Sequence, residues 1–335
     1  MIWLTHHTLA RRLVSIPLIF FSALVLLLLS PLWIPLLALA GLAVKRARSS
    51  LRCVCFIFLF LCCEVTGILA SGWLWLQHTV FGTPRSAYLQ ANTALQFWWA
   101  DTLRQFAQML FRLRFIVEGE DALSGPAAIV LPRHCSTGDT ILPLCFYAKK
   151  CGFNVSYVLK RELLLDPCLD IVGNRLPNVF LNRIAEDMGP ELASLESLAR
   201  QASAADSLII YMEGTRFSSP KRDRILQLLA DKGDTEALQR AERWSKLLPI
   251  RPAGALALMK TAPDKDLLFL AHSGFEGSAS FASLFNGSWL NTTVRLRFWR
   301  VRAADIPSDD AGRRALLFDH WDTMQQAITE LQETV

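Results

Sequence analysis

The first 80 or so residues constrain this chain most. Leu13 to Val44 carries no charged side chain, and Cys53 to His78 carries only Glu64. A helix rises about 1.5 Å per residue and a bilayer core is about 30 Å thick, so about 20 apolar residues cross it. The first stretch is longer than that, with Pro31 and Pro35 in its middle, where they break or kink a helix. The second is nearer to a single span, although Gly67 and Gly72 weaken it. Ala38-Leu39-Ala40 has the form of a signal-peptide cleavage site, but the apolar run before it far exceeds the roughly 7–15 residues such a peptide uses. The expectation is a retained membrane anchor over residues 1–85, built from two apolar helical segments, 13–44 and 53–77.

Basic residues flank the first segment: Arg11 and Arg12 before it, and Lys45, Arg46, Arg48 and Arg52 after it. Basic flanks prefer the cytoplasmic side. A hairpin bent at Ser30–Pro35 keeps both clusters there, whereas two true spans put the second cluster outside. The chain is therefore expected to be an integral or monotopic membrane protein with its globular domain, residues 86–335, on the cytoplasmic side. A carboxylate as deep as Glu64 is expensive in lipid and is expected to face protein or to be protonated. The net charge is +5, with no Lys/Arg run of the kind that binds nucleic acid, so no nucleic-acid partner is expected; a mild basic excess suits an anionic lipid surface. The eight cysteines form no CxxC pair and no zinc spacing, and read as reduced thiols. Neither a metal nor a cofactor is expected, and the oligomeric state is left open.

From Ser86 to Arg112 apolar residues recur at helical spacing, as in an amphipathic helix leading off the membrane. Short apolar runs then alternate with helical patterns. Strands are expected at Phe115–Val117, Ala128–Leu131, Val155–Leu159, Val179–Leu181, Leu208–Met212, Leu248–Ile250, Leu267–Leu270 and Val294–Val301. Helices are expected at Thr140–Lys149, Glu162–Val172, Pro190–Ala202, Asp223–Lys246, Ala255–Thr261 and Asp310–Glu333. This alternation predicts an α/β domain over residues 86–335, with a mixed, mostly parallel sheet flanked by helices. Ligands of such folds bind where strand ends meet helix starts.

Chemistry-bearing residues fall at those positions. "LPRHCSTGDT" puts His134 just past a strand and Asp139 at the next helix start. A carboxylate folded back on one imidazole nitrogen leaves the other as a base. The same letters also fit a capping box, Ser-x-x-acid, in which Asp139 merely opens a helix. Taken alone, the stretch fits both. "LIIYMEGTRFS" ends a strand in Glu213, Gly214, Thr215 and Arg216. Gly214 permits a sharp turn and Arg216 offers a forked cation suited to phosphate, although a structural turn with a surface ion pair fits equally. Lys160 and Arg183 follow further strands.

In order and spacing these pieces resemble the lysophospholipid acyltransferase family, whose best-known members are the 1-acylglycerol-3-phosphate acyltransferases. The first family block, His-x4-Asp, is matched by His134 and Asp139. The second, an apolar strand ending in arginine, is matched by Phe180-Leu181-Asn182-Arg183. Glu213-Gly214-Thr215-Arg216 matches the third in full, and Leu248-Pro249-Ile250-Arg251-Pro252 the fourth loosely. The resemblance covers residues 89–335. Arg133 stands where many members carry asparagine, and the charged stretch Ser219–Lys246 is similar to the branch that includes the lysocardiolipin-type enzymes.

The resemblance implies transfer of an acyl chain from a thioester, on coenzyme A or acyl-carrier protein, to the free hydroxyl of a lysophospholipid. The acceptor it points to first is 1-acylglycerol-3-phosphate; another lysophospholipid in membrane remodelling is the alternative. It implies His134 as general base and Asp139 as its orienting partner. Arg216, Gly214, Thr215 and Glu213 would form the phosphate-binding turn, helped by Arg183 and Lys160. Backbone amides at the helix start after His134 would steady the oxyanion. A membrane-bound hydrolase is the rival, but the sequence holds no GxSxG, Cys-x5-Arg or HExxH. Trp98, Trp99, Phe281, Phe285 and Trp289 are candidates for an acyl channel or, more simply, for core.

Overall fold

Pro31 does break the first apolar stretch, close to where its ring forbids a continued helix. In the computed structural model, which describes residues 5–182, 188–276, 285 and 287–333, helix α1 (Thr8–Leu28) stops at Leu29 and α2 (Ser30–Ala43) restarts with Pro31 in its first turn. The indole of Trp33 bridges the break by donating to the Leu26 carbonyl at 2.9 Å. The second stretch lies inside one long helix, α3 (Lys45–Thr79), and the amphipathic pattern after it forms α4 (Arg85–Phe111). Two helices, Thr8–Leu28 and the Ser49–Thr79 part of α3, are long and apolar enough to cross a membrane.

The chain divides into two units: Met1–Leu113 with Leu159–Asn182 and Ala282–Asn291, and Arg114–Val158 with Arg183–Phe281 and Thr292–Val335. In the first, α3 is gripped through its polar exceptions. Glu64 is fully buried; Trp99 donates to one of its oxygens at 2.6 Å and the Cys168 amide to the other at 3.3 Å. Gly67 is a close-approach glycine, since a Cβ there would lie 2.6 Å from Cys168 Sγ. Cys168 sits on α5 (Pro167–Gly173), whose N-cap, Asp166, accepts from the Leu169 amide. On the same helix Asp170 is clasped by both N-terminal arginines: Arg11 Nη2 at 2.5 Å and Arg12 Nε at 2.8 Å. The basic flank of α1 is thus spent inside the protein. Trp289 is core, edge-on to Phe56 and Phe111, while Trp98 is exposed; Phe281 lies outside the described residues.

The second unit is the α/β part. Its strands β1 (Arg114–Glu118), β2 (Ile129–Pro132), β3 (Asn154–Lys160, running into the first unit), β5 (Asp206–Ile209), β6 (Leu267–Ser273) and β7 (Thr293–Val301) lie in the order β1-β7-β6-β2-β5-β3. Short strand β4 (Val179–Leu181) belongs to the first unit. All these neighbours run parallel except β6 and β7, so the sheet is mixed and mostly parallel. β2 and β6 are buried at every position, as their unbroken apolar runs require of strands covered on both faces. Helix α6 (Gly189–Gln201) packs on α9 (Ala253–Thr261), and α10 (Asp310–Glu333) lays Leu317, Trp321, Met324, Ile328 and Leu331 against β6.

Four expected elements differ. Glu162–Val172 is a 3-10 turn, Arg161–Leu165, followed by α5, the two parted at Asp166, which caps α5 ahead of Pro167. Leu248–Ile250 is not a strand, because its backbone serves side chains instead: the Leu248 amide donates to Glu213 and its carbonyl accepts from Trp321. Asp223–Lys246 is two helices, α7 (Ser219–Asp231) and α8 (Thr235–Glu242), parted by Gly233 at φ +68° and re-capped by Asp234. Thr140–Lys149 is a run of short turns around Pro143 rather than one helix. For the Asp170 clasp, Asp170→Ala leaves the buried Arg11 without its carboxylate. It is expected to cost roughly 3–5 kcal/mol and to open the N-terminus to protease, read as the half-life of intact α1 in detergent. A half-life equal to wild type would show that the clasp does not hold α1.

Candidate active site

Strand β2 ends at Pro132, and the chain stays in register one residue further, the Arg133 amide donating to the Leu270 carbonyl at 3.0 Å. His134 is thus delivered at a strand's carboxyl end by a rigid frame. Its ring Nδ1 lies 2.9 Å from Asp139 Oδ1. The other Asp139 oxygen accepts from the amides of Cys135, at 2.6 Å, and Ser136, at 2.7 Å. The second of these bonds has the three-residue span of a capping box, although the short turn that follows, Gly138–Ile141, starts from Thr137. The loop-shaping role and the histidine-orienting role therefore coexist, one on each oxygen.

Asp139 is almost fully buried. Burial pushes its carboxyl up, but the charge and hydrogen bond of His134, followed by those of His272, prevail and hold it well below the usual carboxylate range. An ionised carboxylate only accepts, so the His134 Nδ1 carries the proton and Nε2 keeps a free lone pair. The ring is partly open, with 14% of its side chain exposed, and rests on Tyr211 at 4.6 Å between centroids. Tyr211 Oη donates to the Asp139 carbonyl at 3.3 Å. Burial, with Asp139 and Tyr157 adding to it, pushes the Tyr211 phenol far up, so it stays a donor.

The Glu-Gly-Thr-Arg turn meets this loop directly. Glu213 accepts from the His134 amide at 2.7 Å through one oxygen and from the Leu248 amide at 3.0 Å through the other. The Phe217 amide donates to the His134 carbonyl at 2.7 Å. Burial pushes the Glu213 carboxyl up to about 8; the two amides and then Arg133 pull against the rise, and Asp139 adds to it. Glu213 therefore ties three loops together and keeps a proton near neutral pH. Gly214 takes φ +70°, the left-handed region a side chain resists. Thr215 and Arg216 are half-buried. Lys160 closes β3 in the first unit, three residues past the Tyr157–Ile209 register pair. Arg183 lies outside the described residues.

One expectation changes, and Arg133 finds a place. The amides of Cys135 and Ser136 are turned onto Asp139, and that of Gly138 onto Ser136 Oγ at 3.1 Å, so these three do not face an oxyanion. Arg133 points away from the site: it is fully buried, with Nη1 2.6 Å from both the His272 carbonyl and Glu276, and Nη2 3.1 Å from the Lys246 carbonyl. Cys135 is no nucleophile. Burial drives its thiol far up; Arg133 lowers it, and the surrounding acids raise it again. Cys135, Asp139 and His272 bring potential ligand atoms within 4.8 Å of one another. A metal there would take Asp139 from His134 or from the amides.

Residues 114–261 match the family model described as Acyltransferase. The chain carries an acyltransferase domain. That segment holds His134, Asp139, the Glu213–Arg216 turn and Arg251. The fold is also similar to the crystal structure of the 1-acyl-sn-glycerophosphate (LPA) acyltransferase PlsC from Thermotoga maritima, with a TM-score of 0.56 and 16% identity over 86% of this chain and 99% of that one. No curated protein sequence matches the chain.

Tyr211, His272, Glu276 and Arg133 support this candidate site without belonging to its motifs. Burial raises the Glu276 carboxyl, but the Arg133 charge and hydrogen bond, with His272 behind them, bring it down to about 2 from an ordinary 4.5. The unfolded chain therefore binds this proton more readily. The stability the pair contributes is present above about pH 4.5 and lost as pH falls toward 2. Glu276→Gln should cost about 2 kcal/mol at pH 7, less than a fully buried pair because Glu276 is 31% exposed. It should also flatten the loss between pH 5 and 3, measured by chemical denaturation. An unchanged acid slope in the variant would mean that other carboxylates set it.

Proposed function

We propose that this protein transfers an acyl chain from an acyl thioester, on coenzyme A or acyl-carrier protein, to the free hydroxyl of a lysophospholipid, with 1-acylglycerol-3-phosphate as the acceptor and phosphatidic acid as the product. The observation that carries the reading is the His134–Asp139 contact at 2.9 Å, with Nε2 left as a base on a partly open ring. Nε2 takes the proton of the acceptor hydroxyl as its oxygen attacks the thioester carbonyl. The tetrahedral intermediate collapses by breaking the carbon–sulfur bond. The thiolate leaves and recovers the proton from the imidazolium, so no acyl-enzyme forms. Asp139 supports the charge that His134 acquires. Arg216 holds the acceptor phosphate, and Glu213 braces the turn that presents it.

Membrane attachment is part of the proposal, since acceptor and product are both bilayer lipids. Leu13, Leu18, Phe21, Leu24 and Leu28 on α1, and Leu32, Leu36 and Leu39 on α2, are exposed. Such a run is costly in water and favourable in hydrocarbon. The matched fold is that of a protein described as an LPA acyltransferase, which supports the same acceptor.

The test is transfer of a labelled acyl chain from acyl-CoA to a panel of lysophospholipids, with the full chain in nanodiscs. His134→Ala should lower kcat/KM by at least about a thousandfold and Asp139→Asn by about a hundredfold, since each removes the base or its orientation. Transfer only to another lysolipid would move the protein to membrane remodelling. Thioester hydrolysis that survives His134→Ala would overturn the mechanism.

A further inference from the structure

The peptide that joins Arg133 to His134 is held at both of its polar groups. Its amide, on His134, donates to Glu213 at 2.7 Å. Its carbonyl, on Arg133, lies 3.3 Å from Nε2 of His272. His272 comes from β6, which is buried at every position, and its own side chain is fully buried. The register of β2 on β6 delivers it there: Leu270 lies opposite Pro132, and the Arg133 amide donates to the Leu270 carbonyl. The same Nε2 lies 3.6 Å from Asp139 Oδ2, a charge contact rather than a full hydrogen bond. Arg133 answers from its other end, Nη1 donating to the His272 carbonyl at 2.6 Å.

Nε2 thus faces two acceptors, a carbonyl and a carboxylate, and carries the proton. Nδ1 is buried and has no hydrogen bond among the described residues. A buried polar atom without a partner costs stability, and a phenyl ring would fill the same space, edge-on to Phe275, without that cost. What a histidine adds at this position is therefore the Nε2 proton. That proton stands between the backbone that carries His134 and the carboxylate that orients its ring. We infer that His272 is a positioning residue, whose Nε2 proton, placed between the Arg133 carbonyl and Asp139, fixes the His134 backbone relative to the acid that orients the imidazole. The inference rests on the reading of His134 as the base, but the ordering it describes exists with or without turnover.

The test sets two variants against each other in the full chain. His272→Phe keeps a ring and removes the proton. His272→Gln removes the ring and keeps a donor about as far from Cα as Nε2 is. In nanodiscs, with acyl-CoA and 1-acylglycerol-3-phosphate, His272→Phe should lower kcat about thirtyfold, the scale of a misplaced base, with both KM values within about twofold. His272→Gln should keep kcat within about threefold of wild type. A packing role gives the reverse order, Phe active and Gln slow; that order, or two equal variants, overturns the inference. Should the Phe chain not fold, His272→Asn replaces it: its donor stops short, at the place of Nδ1, and it should be slow where Gln is active. The second measurement needs no turnover. Nitrogen NMR of the histidine-labelled chain reads the tautomer of His134, its signals picked out by their loss in His134→Ala. Wild type should show one tautomer, protonated on Nδ1, and His272→Phe a mixture of two. A single unchanged tautomer in His272→Phe overturns the inference even if kcat falls. A mixture in a protein that transfers no acyl chain upholds the positioning role and sinks the acyl-transfer reading instead.

Discussion

The Asp139 carboxylate is the contact on which the site's geometry depends. One oxygen fixes the His134 ring, and the other gathers two backbone amides that shape the loop between them. A group used this way cannot be exchanged for one with a single acceptor without loosening either the base or the loop. Its burial would ordinarily force a proton onto it. The ring, the amides and His272 Nε2, 3.6 Å away, reverse that and leave it charged. An imidazole beside a charged, hydrogen-bonded carboxylate has one tautomer and one orientation, which is the ordering that the proposed base role requires.

Glu213 extends the same economy outward. It bonds the loop after β2 to the segment at Leu248, which would otherwise read as one more strand of the sheet. The motif glutamate is therefore a hub for backbone, while the motif arginine stays half-buried. The near-neutral state that burial imposes on Glu213 keeps a second full negative charge away from Asp139. Behind both, Arg133 supplies a buried cation whose partners are two carbonyls and Glu276. The residue that departs most visibly from the resembled family's pattern thus acts as scaffold.

Much of this was legible in the sequence because the signals were local. Period and punctuation placed seven of the eight expected strands, and α10 runs over the very bounds expected, Asp310–Glu333. His134, Asp139 and the Glu213 turn were readable because five-residue and four-residue spacings survive folding intact. What stayed hidden depends on strand order. His272 reaches Asp139 only because β6 lies beside β2 with Leu270 opposite Pro132, and nothing in a linear pattern says which strands are neighbours. Arg251 was visible as a letter in a soft motif, but its position over Gly214 follows from a backbone bond to Met212. The lost strand at Leu248–Ile250 has the same origin: apolar letters predict burial correctly, while long-range partners decide whether the backbone pairs with a strand or with side chains.

The geometry also bears on which chemistry the histidine can serve. A nucleophilic route needs a thiolate or hydroxyl within reach of the base, and Cys135, next to it in sequence, is the evident candidate. Cys135 is 1% exposed, and burial among acids holds its proton. Its amide, moreover, is committed to Asp139, which turns the residue inward while His134 faces out. Asp139 thus orients the ring through one oxygen and holds the backbone of the buried cysteine through the other. With that thiol buried and protonated, the geometry favours the direct transfer proposed above over a covalent intermediate.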